Sequence, residues 1–268
     1  MDRYQSSANV VKLYNQLQSE KIKDYDFLKG VCNYFDKIKS ENLQQHDLKF
    51  LRHLANMAGV PHYYDLLFSR FKHNEDKLTS FDLSTVSSIL HELSLHVDEN
   101  IKIHKYQKQV LDLFQKGKNN RYFLSASTSF GKTFLIYEII KKQEYKNIAL
   151  LFPTIALLSE NQEKLIKDGH YSYFRDFALH TLSEIESPAD KNIFLFTPER
   201  YLSFLDKNQD IELDFIFVDE IYKIDNEYEA DEENKENERD IAYRIALQDI
   251  VKKNVDIFLA GPYIELPR

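Results

Sequence analysis

The sequence predicts an α/β fold: a parallel β-sheet flanked by helices, preceded by an α-helical N-terminal bundle. Three observations predict it. Apolar residues recur at three- and four-residue spacing from about Ser6 to Val97, which is the helical period. From Ile101 onward short β-rich runs alternate with helical patterns. Those runs are apolar throughout, as expected of strands covered on both faces.

In the first region, Val10, Val11, Leu13, Tyr14 and Leu17 form one apolar set, and Phe27, Leu28, Val31, Tyr34, Phe35 and Ile38 a second. Leu48, Leu51, Leu54 and Ala55 form a third, with Gly59 as its stop and Pro61 in the first turn of the next helix. A last helix is expected from about Ser84 to Leu95. In the second region the expected strands are Tyr122–Ser125, Ile148–Phe152, Ala178–Thr181, Ile193–Phe196, Phe215–Val218 and Ile257–Ala260. Helices are expected at Gly131–Lys142, Ile155–Lys167, Pro198–Leu205 and Asp240–Lys252. The organisation read from this is a helical region over 1–100 and an α/β domain over 101–268.

Hydrophobic residues make up 43% of the 268, enough to build a sizeable core. One cysteine, Cys32, excludes an internal disulfide and a cysteine-based zinc site, and a reducing, cytoplasmic setting fits. No signal peptide and no run of about 18 apolar residues is present, so no membrane role is expected. Spread evenly, the net charge of −8 would argue against nucleic acid. It is uneven, however: Asp225–Asp240 holds nine acids and two bases, and the remainder is near neutral. A near-neutral domain can still carry a basic groove. The nine histidines show no pair at metal-ligand spacing, and the 17 tyrosines and 19 phenylalanines are read mainly as core. The basic run Lys102, His104, Lys105 and Lys108 is read as a solvated helix face.

Two segments carry chemistry. Ala126-Ser127-Thr128-Ser129-Phe130-Gly131-Lys132-Thr133 follows a strand and opens a helix. That is the context of a phosphate loop, whose backbone N–H groups and helix N-terminus point at phosphate oxygens. Gly131 lets the backbone approach closely, Lys132 supplies a point charge to the β- and γ-phosphates of ATP, and the Thr133 hydroxyl suits Mg²⁺. The first position is alanine where the bare pattern has glycine, and an ordinary strand-to-helix turn would look similar. The second segment, Phe215-Ile216-Phe217-Val218-Asp219-Glu220, is an apolar strand ending in two carboxylates. Asp219 suits the Mg²⁺ shell, and Glu220 suits orienting or deprotonating the attacking water. Together the segments point to catalysis by Lys132, Asp219 and Glu220, and to nucleotide binding by Ser127, Thr128, Ser129, Phe130, Gly131, Lys132 and Thr133.

Further segments occur in a telling order: Tyr106-Gln107, then the phosphate loop, then Pro153-Thr154-Ile155-Ala156-Leu157, Thr197-Pro198-Glu199-Arg200 and Asp219-Glu220-Ile221-Tyr222. In this the chain resembles the superfamily 2 DEAD/DEAH-box helicases over about Lys105 to Pro262. The resemblance implies the first RecA-like motor domain, with adenine read by Gln107. It also implies that Pro153, Thr154, Thr197, Pro198 and Arg200 lie in segments meeting the backbone of DNA or RNA, independent of sequence. Two departures stand out: Tyr222 replaces the last residue of the usual box, and Ala260-Gly261-Pro262 replaces the usual S-A-T. S-F-G-K-T, D-E-I-Y-K and L-A-G-P together are similar to bacterial antiviral-defence helicases of the Hachiman type, large subunit. This implies a protein partner in a defence complex.

Such motors use a second RecA-like domain, which supplies arginine fingers. The 268 residues encode one such unit, so the isolated chain is expected to be a fragment, truncated product or split half, weak in turnover. The expectation is an ATP-dependent helicase or translocase motor domain. The alternative is a nucleotide-binding interaction module with little turnover of its own.

Overall fold

The computed structural model describes residues 3–71, 90, 92, 94–98, 101–126, 130–167, 169–221 and 238–262. The chain divides into two compact units, Met1–Val110 and Leu111–Arg268.

The first unit opens with four helices: α1 (Arg3–Gln18), α2 (Asp24–Ile38), α3 (Gln45–Met57) and α4 (His62–Phe71). Their core is Val10 from α1, Phe27, Val31, Tyr34, Phe35 and Ile38 from α2, Leu48, Leu51, Leu54 and Ala55 from α3, and Tyr64 and Leu67 from α4. Val11, grouped with Val10 by spacing, is exposed instead. Adjacent residues stand about 100° apart on a helix, and in α1 the buried stripe takes Val10 but not its neighbour.

Helix α3 ends as its sequence implies. Gly59 takes a left-handed φ of 72°. Its N–H donates to the Asn56 carbonyl and that of Val60 to the Ala55 carbonyl, the paired bonds of a Schellman stop. The side chain of Lys105 crosses Gly59 so closely that an added Cβ would lie 2.6 Å from its Cγ. Glycine is required there by conformation and by space.

A short antiparallel hairpin, β1 (His96–Asp98) and β2 (Ile101–Lys102), follows. The helix expected at Ser84–Leu95 lies mostly outside the described residues. Glu92, whose side chain is 8% exposed, accepts from Arg52 at 2.9 Å and from Lys102 at 2.5 Å, and Lys102 also reaches Asp65 at 2.9 Å. Burial alone would raise the Glu92 carboxyl, but its bonds to Lys102 and Arg52 outweigh that and hold it below its usual range. Burial likewise works against the Lys102 ammonium, yet its two carboxylate partners push it up.

The second unit is a six-stranded sheet: β3 (Arg121–Ser125), β4 (Asn147–Leu151), β5 (Ala178–His180), β6 (Asn192–Phe196), β7 (Phe215–Val218) and β8 (Asp256–Gly261). The order is β3-β8-β7-β4-β6-β5, and every pairing is parallel. Helix α5 (Lys105–Leu113) precedes it. Helices α6 (Lys132–Gln143), α7 (Ile155–Lys167), α8 (Pro198–Lys207) and α9 (Glu238–Lys252) are interleaved with the strands.

Alternate residues of each strand serve opposite faces. Ala149, Leu151, Phe194, Phe196, Ile216, Val218 and Ile257 pack with Tyr201 and Phe204 of α8 and Tyr243, Ala246 and Ile250 of α9. On the other face the ring of Phe114 packs edge-on against Phe215 and Phe258. Helix α6, buried along Leu135–Ile140, joins α7 by a Tyr137–Asn161 hydrogen bond of 3.3 Å. A helix follows β3, β4 and β6 directly, and a parallel sheet therefore has both faces covered. Among the described residues no helix is long and apolar enough to cross a membrane.

Candidate functional site

Because all six strands run the same way, the chain leaves every one of them at a single edge of the sheet. From one side to the other that carboxyl edge carries the turns after β3, β8, β7, β4, β6 and β5. This is the edge at which open parallel sheets hold ligands.

The turn after β3 leads through Ala126 to Phe130 and Gly131; Ser127, Thr128 and Ser129 lie outside the described residues. Gly131 caps α6 with φ 79° and ψ 36°, the left-handed region, where conformation itself favours glycine. Helix α6 has no acid in its first turn to offset the positive end of its dipole. Lys132 Nζ lies 3.2 Å from the Ala126 carbonyl and 3.2 Å from that of Gly261. Both acceptors are neutral, so an anionic phosphate would compete well for this ammonium. Thr133, half-buried, sits beside it in the first turn. The turn is tied to β8 by Ala126 N–H on the Gly261 carbonyl at 3.2 Å and Ser125 Oγ on that of Pro262 at 2.9 Å.

Two strand spacings away, about 10 Å, β7 ends in Asp219 and Glu220. Asp219 N–H donates to Leu151 at 3.0 Å, extending the pairing with β4. Glu220 has a left-handed φ of 50°, and its N–H donates to Asp219 Oδ1 at 2.9 Å. The Tyr243 hydroxyl of α9 donates to the Asp219 carbonyl. The donor set suits Mg²⁺: one carboxylate and one hydroxyl, with phosphate and water oxygens completing six. Among the described residues no cluster of three or more histidines, cysteines or acids forms a self-sufficient metal cage.

The far half of the edge holds the remaining candidates. Thr154 Oγ1 accepts from the Leu157 N–H at 3.3 Å, capping α7, and Pro153 is half-buried before it. Thr197 is 8% exposed and caps α8 through its backbone, without a side-chain cap bond, and Pro198, also buried, is the first helical residue. Arg200 Nη1 donates to the Thr181 carbonyl at 3.0 Å, joining α8 to the end of β5. Gln107 belongs to the first unit. It is 9% exposed, and its Oε1 accepts from the His104 N–H at 3.2 Å while its own N–H reaches His104 Nδ1 at 3.2 Å. That reciprocal pair starts α5. Tyr222 and 225–237 of the acidic segment lie outside the described residues.

Sequence reasoning missed Tyr243 and the Gly261 carbonyl. Tyr243 lies 24 residues beyond Asp219 with no pattern linking them, and a backbone oxygen has no residue-type signal.

The DEAD/DEAH box helicase family model matches residues 104–248, more than half of the chain. Anti-bacteriophage protein B of Escherichia coli (strain K12) is similar over 162 residues at 26% identity, covering 60% of this chain and 21% of that protein. The chain thus spans about a fifth of that relative's length. A solved structure, the ATP-dependent Type ISP restriction-modification enzyme LlaBIII bound to DNA, is similar with a TM-score of 0.44 and 15% identity, covering 64% of this chain and 13% of that one.

Proposed function

Because the chain belongs to the DEAD/DEAH box helicase family, we propose that Leu111–Arg268 is the first motor domain of a helicase or translocase, binding Mg-ATP and a nucleic-acid backbone along one sheet edge. The observation that carries this reading is the common carboxyl edge. It brings Gly131, Lys132 and Thr133 within two strands of Asp219 and Glu220, and sets the starts of α7 and α8 beside them.

In this reading Ala126–Thr133 holds the phosphates and Lys132 leaves its carbonyl partners for them. Thr133 and Asp219 hold Mg²⁺, which when bound neutralises phosphate charge. Glu220 takes a proton from the attacking water. The water oxygen bonds to the γ-phosphorus as the bond to the β–γ bridging oxygen breaks, and ADP leaves. The N-termini of α7 and α8, with Thr154 and Arg200, suit phosphate oxygens of a strand. None offers a run of side chains for base edges, so binding is independent of sequence. The described residues hold one RecA-like unit, and arginines from a facing domain would speed its turnover. The similarity to Anti-bacteriophage protein B supports a role of the whole protein in phage defence.

The test is fluorescence anisotropy on labelled single strands of unrelated sequence, at several salt concentrations, with Mg-ATP present. Equal affinities with one shared salt slope are expected. No measurable binding, or affinities that track sequence, would contradict the proposal.

A further inference from the structure

The turn that carries the two carboxylates has a backbone feature needing an explanation. Three described residues other than glycine have positive φ: Glu20, Glu144 and Glu220. Glu144 is the C-cap of α6, and Glu20 follows the end of α1 with its N–H on the Leu17 carbonyl. Helix ends commonly adopt this conformation. Glu220 follows a strand, where no such reason exists, so its surroundings must hold it.

Three hydrogen bonds do so. The Leu151 carbonyl takes the Asp219 N–H, Asp219 Oδ1 takes the Glu220 N–H, and the Asp219 carbonyl takes the Tyr243 hydroxyl. The first two come from the strand and the turn themselves. The third comes from α9, where Tyr243 is 5% exposed and packed among the core residues under the sheet. Helix α9 is separately anchored to α8, since the fully buried Tyr201 donates to Asp249 at 2.9 Å. Helix α9, itself bonded to α8, thus holds the carbonyl of the Asp219–Glu220 peptide.

We propose that Tyr243 is a positioning residue for ATP hydrolysis, fixing the Asp219–Glu220 turn from helix α9 so that Glu220 meets the attacking water. This rests on the reading of Glu220 as the hydrolytic carboxylate. Tyr243 acts through the turn and touches no reacting atom.

The experiment compares Tyr243→Phe with Tyr201→Phe in the 268-residue chain. Each removes one buried phenol hydroxyl from the contacts of α9 and keeps the ring, so a merely structural role predicts like behaviour. Hydrolysis is followed with the chain in excess over ATP, and affinities are measured for ATP and for ADP–aluminium fluoride, which mimics the hydrolytic geometry. Tyr243→Phe should slow hydrolysis, and weaken ADP–aluminium fluoride, by about ten- to a hundred-fold, the cost of a small misplacement. Its ATP affinity should stay within about two-fold. Tyr201→Phe should match the unmutated chain in all three while melting earlier. Unchanged hydrolysis and fluoride binding in Tyr243→Phe, or equal losses in both variants, would overturn the proposal. An unmutated chain that binds no ATP would instead remove the ATPase reading, and the positioning role with it.

Discussion

The two halves of the carboxyl edge hold their polar side chains in different ways. On the β3–β8–β7 side, the Lys132 ammonium rests on two neutral backbone carbonyls, bonds that an anion can replace. On the β4–β6–β5 side, Thr154 caps a helix, Thr197 and Pro198 are buried at a helix start, and Arg200 ties α8 to the end of β5. The first half is poised to exchange partners. The second is built into the fold, and any grip on a strand comes from groups that also hold helices in place. Losses in the first half should therefore appear in ligand binding and turnover, and losses in the second partly in stability.

The largest effect should come from Glu220→Gln, which removes the proton acceptor but keeps the size of the side chain. Hydrolysis should fall by about 10²–10⁴-fold with ATP affinity retained. Single-turnover kinetics beside calorimetry would show this, and an unchanged rate would take Glu220 out of the chemistry.

Next in size is a control from neither half. Glu92→Gln leaves Arg52 and Lys102 without their shared carboxylate and should cost about 1.5–3 kcal/mol of stability, with ATP affinity unaffected. Its pH dependence follows from sign. The folded Glu92 carboxyl is held low, so its contribution is present above the unfolded value of about 4.3 and is lost as pH falls through the lower folded value. Denaturant melts between neutral pH and pH 3 should converge for the two proteins. Parallel curves would show that the network adds nothing.

The sharpest break of the comparison comes from the second half. Thr154→Ala should cost about 1 kcal/mol as a lost cap. If Thr154 and Arg200 also grip a strand, Thr154→Ala and Arg200→Ala should weaken single-strand binding equally for unrelated sequences at temperatures where both remain folded. Variants that only melt earlier, and bind as before when folded, would leave capping and packing as their whole role.

The smallest effect concerns Asp225–Asp240. Neutralising Glu232, Glu233 and Glu236 should leave strand affinity unchanged, or tighten it by a few tenths of a kcal/mol at low salt, because their charge opposes phosphate within the Debye length of about 10 Å. Weaker binding would show that the segment supports the strand.

How legible all this was depended on the kind of signal. The six strands and the four helices that follow β3, β4, β6 and β7 stand within about two residues of the expected bounds, because continuous apolar runs and capping residues mark them directly. Gly59 and Gly131 were visible as glycines with a purpose, although the left-handed φ of Gly131 adds a conformational reason to the expected steric one. The β1–β2 hairpin was not legible, since strands of three and two residues carry too little alternation to read. Val11 was misplaced because spacing alone does not say which of two neighbours faces the core. Among the candidate site residues, the pattern marks Lys132, Thr133, Asp219 and Glu220, which the parallel sheet carries at one edge. The Gly261 carbonyl and Tyr243 act through the backbone, which one sequence does not display. That Thr154 caps α7 and Arg200 joins α8 to the end of β5 appears only once their hydrogen bonds are seen.

The most direct test of the central claim, that the turn after β3 is a phosphate site, is calorimetric titration of Mg-ATP into the chain and into Lys132→Ala. Binding by the unmutated chain, weakened by about 2–5 kcal/mol in a variant that melts at the same temperature, is the expected result. Equal affinity in the two proteins would contradict it.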